Sequence, residues 1–330
     1  MAKHEQHENA AKFADKPLFS SAHFILELDG LDKGGDQLPT LRTVEGGGAK
    51  ADVVSYQMGE NGDIWRQLGK SKYEDIKLSL GLADATGFWA WIEEFLKGIH
   101  TRKNGAIVVA DYNYCEKARR EFHQAMIVSL GFPKWDANAK DQANITVTLA
   151  PEKVSFVAAN GKKFAAPGKG EAAQKRIAAC NFRFSIDGFE AQCLRTSKVD
   201  AFEVKVKTVE HHLGWGHDGA RLEPLKIPGK IEYPNLVFYI PEMDAEPFRS
   251  LHNKHMDGKE RDLGRTAKLS FYDNHKVDQG EFQFDGVHIF NVQSEKSDAN
   301  SEDVKLVKVE CAIEGFMKGS AVDPKGFKLF

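Results

Sequence analysis

Residues 81–98, GLADATGFWAWIEEFLKG, have an echo at 241–258, PEMDAEPFRSLHNKHMDG, and a single offset aligns the two. Asp84 and Asp244, Ala85 and Ala245, Phe88 and Phe248, and Gly98 and Gly258 all lie 160 positions apart. The same offset joins Gly69, Lys70 and Tyr73 to Gly229, Lys230 and Tyr233 upstream, and Glu121 and Phe122 to Glu281 and Phe282 downstream. Leu28, Asp29 and Gly30 match Ile186, Asp187 and Gly188 at an offset of 158, the difference a small loop insertion makes. A register held this long marks a duplicated unit of domain size, too long for a solenoid repeat. Any fold proposed for one half must therefore suit the other.

Both echoing segments carry helix signals. In the first, Asp84 stands at the cap position. Phe88, Trp91, Ile92, Phe95 and Leu96 then fall at i, i+3, i+4, i+7 and i+8, and Gly98 stops the run. In the second, Asp244 takes the cap position and Pro247 the first turn; Phe248, Leu251 and Met256 keep part of the stripe, and Gly258 ends it. Helices over 85–97 and 245–257 are expected in equivalent settings. HFILELDG at 23–30 alternates as a strand with one buried face, and AIVVADY, REFHQAMIVSL and ANITVTLA follow the first helix. NFRFSIDG, AFEVKVKTVE and IEYPNLVFYI precede the second helix, and AKLSFYD, EFQFDGVHIF and VKLVKVECAIEG follow it. The expected fold is mainly β with one helix per domain: two tandem antiparallel β-barrel or sandwich domains, each with its helix over an open end or flank. The expected boundaries are a flexible N-terminal arm at 1–18, a first domain at 19–157, a Gly, Ala and Lys-rich linker at 158–177 and a second domain at 178–330.

Composition narrows the function classes. A chain of 330 residues has room for two sizeable cores. Its 45 Lys and Arg against 48 Asp and Glu leave a net charge of −3, which gives no footprint for specific nucleic-acid binding or an anionic membrane surface. No apolar run approaches the roughly 20 residues of a membrane helix, so membrane insertion by the chain itself is not expected. Four scattered cysteines, Cys115, Cys180, Cys193 and Cys311, suit free thiols in the reducing cytoplasm of the producing cell.

Histidines are the only enrichment worth testing for chemistry: His211, His212 and His217 around GWGHDG, and His252 and His255 on the second helix. HNKH lacks the glutamate and spacing of a zinc-helix HExxH motif, so solvated or interface histidines are the preferred reading. GxSxG, a P-loop and a strand-preceded GxGxxG are all absent. EGGGAK at 45–50 has no following helix whose amides could hold a phosphate, and reads as a loop or bulge. No catalytic, cofactor-binding or metal residue is assigned, and no cofactor is expected. A tandem barrel that binds small molecules or acts as a histidine- or metal-dependent enzyme is the alternative.

The connection YQMGENGDIWRQLGKSKY, 56–73, is far longer than a hairpin turn needs and carries Met58, Trp65 and Leu68 among polar residues. A long loop of this kind either packs on its own domain or docks another protein. Here and in the following helix the chain resembles the tail tube proteins of contractile bacteriophages and the inner tube proteins of related contractile injection systems. The resemblance rests on a run of motifs: Tyr56; Gly59, Glu60, Asn61 and Gly62; Arg66, Leu68, Gly69 and Lys70; Lys72 and Tyr73; Gly81, Leu82 and Asp84; Trp91, Ile92, Glu93 and Glu94. It covers most of 20–150. The second half keeps a weaker version in Pro228, Gly229, Lys230, Tyr233 and the Asp244 helix, without the tryptophan. This chain departs from the family pattern in lacking a proline in its Leu-Gly-Lys segment and in carrying two domains where family members generally carry one.

The resemblance implies a structural, non-enzymatic role as a tube or tube-initiating, hub-adaptor ring of a phage tail or tail-like particle. Family domains form six-membered rings that stack into a hollow tube driven out by a contracting sheath. The implied partners are the chain itself, neighbouring tube rings, sheath, and spike or baseplate hub proteins. Two domains per chain favour three chains per ring over six. The expected ring-stacking loop comprises Gly59, Glu60, Asn61, Trp65, Arg66, Leu68, Gly69, Lys70 and Lys72, with Trp65 and Leu68 as anchors and Glu60, Arg66 and Lys70 in a polar rim. Asp84, Phe88, Trp91, Ile92 and Phe95 form the structural helix. Assembly would follow synthesis in the bacterial cytoplasm.

Overall fold

The computed structural model describes residues 23–29, 40–58, 63–81, 86–164, 177–212, 224–258, 264–295 and 304–318. The first half runs β1 (His23–Leu28), β2 (Thr40–Gly46), β3 (Ala49–Met58), β4 (Asp63–Tyr73), β5 (Ile76–Gly81), α1 (Thr86–Leu96), β6 (Lys103–Ala110), β7 (Glu116–Phe132), β8 (Trp135–Asp136), β9 (Asn144–Ala150) and β10 (Lys153–Val157). Antiparallel pairing passes from β1 to β2, β5, β9, β7 and β6 and returns to β1, so six strands close into a barrel with no free edge along that circuit. Alternation drives the closure. Leu78 and Leu80 on β5 and Ile145, Val147 and Leu149 on β9 all point into the core. The stripe Phe88, Trp91, Ile92, Phe95 and Leu96 of α1 is buried in the same core. The Trp91 indole NH is satisfied by the Thr101 carbonyl at 2.9 Å.

The second half repeats the plan: β11 (Phe182–Ile186), a four-residue helix α2 (Glu190–Cys193), β12 (Lys198–Val199), β13 (Phe202–His212), β14 (Pro224–Glu232), β15 (Leu236–Pro241), α3 (Glu246–Met256), β16 (Arg265–Tyr272), β17 (Asp278–Ser294), β18 (Leu306–Ala312) and β19 (Gly315–Lys318). Helices α1 and α3 are 160 residues apart at both ends. Both stop at left-handed glycines, Gly98 (φ 78°) and Gly258 (φ 68°), whose amides reach back to Phe95 and His255. The pairs β11–β16, β16–β17, β17–β18, β18–β15, β15–β12 and β17–β19 repeat β1–β6, β6–β7, β7–β9, β9–β5, β5–β2 and β7–β10. The fold is thus two β-rich units of repeated topology with one principal helix each.

The repeats differ at one seam. Among the described residues β12 does not pair with β11; it takes β8 of the first half, with Lys198 opposite Asp136 and Val199 opposite Trp135. Trp135 is fully buried and stacks on Phe271 at 5.8 Å. Phe132 stacks on Phe202 at 4.6 Å and meets Phe282 edge-on at 4.8 Å, so one core runs through both repeats. The start of the expected linker is likewise held: the Phe164 amide donates to Tyr114 O, and Glu116 N to Lys162 O. Residues 1–18, Asp84 and 165–176 lie outside the described residues. Asp244 does not cap α3. It ends a 3-10 turn, Glu242–Asp244, and its carboxylate pairs with Arg195, leaving Ala245 at the cap position without a side-chain hydrogen bond.

Candidate assembly interface

Each repeat extends a long hairpin, β3–β4 in the first and β13–β14 in the second, and the two are built alike. Val53 faces Leu68 and Tyr56 faces Trp65, as Thr208 faces Pro228 and His211 faces Leu225. Both ladders slip at the same place, between Ala51 and Val53 and between Val206 and Thr208. The paired glycines of the repeat sit at this bulge. A Cβ on Gly69 would lie 3.2 Å from Asp52 O, and one on Gly229 would lie 3.0 Å from Lys207 O. Gly46, at φ 76°, begins the turn into β3, where a Cβ would strike Asp75 O at 2.1 Å.

Most of the expected stacking loop is therefore strand. Trp65, Arg66, Leu68, Gly69, Lys70 and Lys72 belong to β4, while Gly59, Glu60 and Asn61 lie outside the described residues. The hairpin stands clear of its own barrel, pairing only within itself, and both faces are in solvent, with Trp65 57 % and Leu68 73 % exposed. Cross-strand pairing sorts them. Val53, Leu68, Ser55 and Arg66 share one face, and Val54, Gln67, Tyr56 and Trp65 share the other. Lys72 pairs with Asp52 at 3.0 Å. The expected anchors Trp65 and Leu68 thus point in opposite directions.

The second hairpin is not free. Its strand β13 adds to the first barrel beside β7, with Phe202 opposite Phe132, Glu203 opposite Gly131, Val204 opposite Leu130 and Lys205 opposite Ser129. Phe202, Val204 and Val206 on this face are buried. Lys226, 2 % exposed, is held at the same junction: its ammonium donates to Asp75 Oδ1 at 2.8 Å and Tyr73 O at 3.2 Å. Its amide donates to Glu152 Oε1 at 3.1 Å, and its carbonyl accepts from Arg102 at 2.7 Å. A buried ammonium needs such partners, because desolvation without them would cost several kcal/mol. Arg102, Glu152 and Lys226 were not among the expected site residues. The 160-residue offset could have singled out Lys226, since it stands where the first hairpin carries Arg66.

Histidines do not converge. His252 Nε2 lies 3.0 Å from Phe290 O, His211 is on the exposed face of β13, and His217 lies outside the described residues. Among the described residues no group of three or more His, Cys, Asp or Glu could hold a metal ion. None of the described helices is long and apolar enough to cross a membrane.

Residues 20–155, the β1–β10 barrel with its hairpin, match the family model described as T4-like virus tail tube protein gp19. Over these residues the chain is similar to the tail tube protein family. Similar solved structures include a chain of the sheath-tube complex of PVC, an extracellular contractile injection system, at 22 % identity and TM-score 0.37, covering 45 % of this chain and 97 % of its own. A chain of the anti-feeding prophage cap, which terminates the tube, has 21 % identity and TM-score 0.37, covering 44 % of this chain and 93 % of its own. Hcp1 from Flavobacterium johnsoniae has 14 % identity and TM-score 0.28, covering 44 % of this chain and 99 % of its own. No curated protein matches.

Proposed function

We propose that this chain is a structural component of the inner tube of a contractile phage tail or tail-like injection particle, forming a hollow ring from tandem tube domains. The observation that carries the reading is the bonding of β13 to β7: one repeat completes the sheet of the other, so a single chain already holds one domain-to-domain junction of a ring. Three chains would supply six domains, each edge completed by a neighbour. Neighbouring rings, sheath, and a spike or baseplate hub are the partners, with the first hairpin's Tyr56 and Trp65 face stacking one ring on the next. Synthesis in the bacterial cytoplasm precedes assembly. Electron microscopy of the purified protein at rising concentration tests this. Rings with an open lumen, stacking into short tubes, are expected; particles that remain single 36.8 kDa chains would overturn it.

A further inference from the structure

The two barrels are finished differently at one end. Phe24 of β1 faces Val109 of β6, and Val109 faces Ala118 of β7; in the second repeat Phe182 of β11 faces Phe271 of β16, and Phe271 faces Gly280 of β17. The adjoining turns share one design. The carboxylates of Asp111 and Asp273 accept from the amides two and four residues on, and Tyr114 and Lys276 both have φ 60°. Val44 pairs with Leu78 as Val199 pairs with Phe238, 160 residues on from Leu78. These are equivalent mouths. In the second, Val199 faces Trp135 of β8, which is fully buried 6.1 Å from Phe182 and 5.8 Å from Phe271. In the first, no strand among the described residues lies beside Val44 on that side, and the place of the indole is a cavity of about 140 Å³. Phe24, Val44, Ile107, Val109, Ala118 and Phe156 line it, and Phe156 is 67 % exposed.

We propose that the segment ahead of β1 seats Leu18 and Phe19 in this mouth of its own barrel, the part Trp135 plays in the second repeat. The direction of the strands supports it. β8 runs antiparallel to β12 as β1 does to β2, so β8 lies where a continuation of β1 ahead of His23 would pass beside Val44. The chain enters at the rim, since Phe24 lines the cavity and Phe19 is five residues upstream. Five extended residues span at most about 16–18 Å, enough to turn back over the opening. Other segments fit less well. Residues 30–39 leave β1 at its opposite end, and 165–176, AAPGKGEAAQKR, offer no large apolar side chain. Seating a Leu-Phe pair removes apolar surface from water on both sides and covers the ring of Phe156. Arg120 ties this rim to the root of the first hairpin: it lies over Phe156 at 5.1 Å and donates to Gly46 O, so the seated segment braces that root. The seat lies within one chain and does not depend on the ring reading.

Hydrogen exchange on full-length chains tests the seat. In a Leu18→Asp, Phe19→Asp double variant, amides of β10 and of β2 should exchange about tenfold faster than in the parent, while those of β15 and β16 keep their rates. A synthetic peptide of residues 11–22, AKFADKPLFSSA, should restore the protection, and the peptide carrying the same two substitutions should not. Equal exchange in parent and variant overturns the proposal. Protection in the parent that grows with chain concentration gives the mouth to a second copy and overturns it too. Where the variant does not fold, p-benzoylphenylalanine in place of Phe19 supplies the second measurement. Irradiation should attach it within its own chain to the peptide holding Phe24, Val109 or Phe156; attachment elsewhere, or between chains, overturns the proposal.

Discussion

Lys226 and Arg66 occupy one position of the repeat and meet opposite surroundings, the first buried against Asp75 and the second in solvent. Lys226→Ala removes a charged hydrogen bond but leaves Asp75 half in water, so a loss of about 1–2 kcal/mol is expected. Hydrogen exchange should localise it: β13 amides should lose protection before those of β5 or β9, and uniform loss would refute a role at the junction. Glu27 shows a second residue-scale device. Burial favours its protonated form, but hydrogen bonds from Lys162 and Arg119 outweigh burial and hold the carboxyl below its usual pKa. A depressed folded-state pKa contributes stability that is complete above the unfolded value, about 4.3, and is lost as pH falls through the folded one. Glu27→Gln should therefore be less stable than the parent in urea at neutral pH, with the gap closing below about pH 4. A gap that stayed constant would remove the ion pairs as its cause. The repeat offset marks the position of Lys226 but not its partners, and neither set of pairings was legible in the sequence, because Lys226 meets Asp75, and Glu27 meets Arg119 and Lys162, from distant parts of the chain.

At the scale of elements, legibility followed periodicity. Helices α1 and α3 carry an apolar stripe and a terminal glycine, both local signals, and they were placed to within a residue at each end. The sequence of 56–73 reads as a long loop because a ribbon with both faces in solvent shows no alternation of apolar and polar residues. Asp244 has the composition of a cap, but Arg195, distant in sequence, claims its carboxylate. If the chain forms stacked rings as proposed, the two faces of the hairpin would separate two functions that a loop would have merged. Trp65→Ser, on the Tyr56 face, should leave rings intact and abolish their stacking. Leu68→Ser, on the Arg66 face, should weaken ring closure itself. Electron micrographs of the two variants distinguish them, and identical defects would show that the faces do not divide the work.

For the whole molecule the question is how many chains close a ring. The halves are not beads on a tether. β13 is bonded to the first barrel, β8 is bonded into the second sheet, and phenylalanines from both meet in one core. A junction built into the chain is present at any dilution, whereas the junction between chains must form by association. Closing six domains from three chains therefore needs three bimolecular contacts where single domains would need six, and the ring should persist at correspondingly lower concentration. The divergence of the repeats fits alternating positions in such a ring: Ile92 and Phe95 are buried in α1, while His252 and His255 stand at the same places in α3. Six chains with the halves in two layers are the competing arrangement. They would require the repeats to meet along the tube axis, while the β13–β7 junction joins them edge to edge within one sheet. Native mass spectrometry should give a particle of three chains with threefold symmetry and six similar domains. Six chains would overturn it, and the β13–β7 junction would then be a contact between layers of a thicker ring.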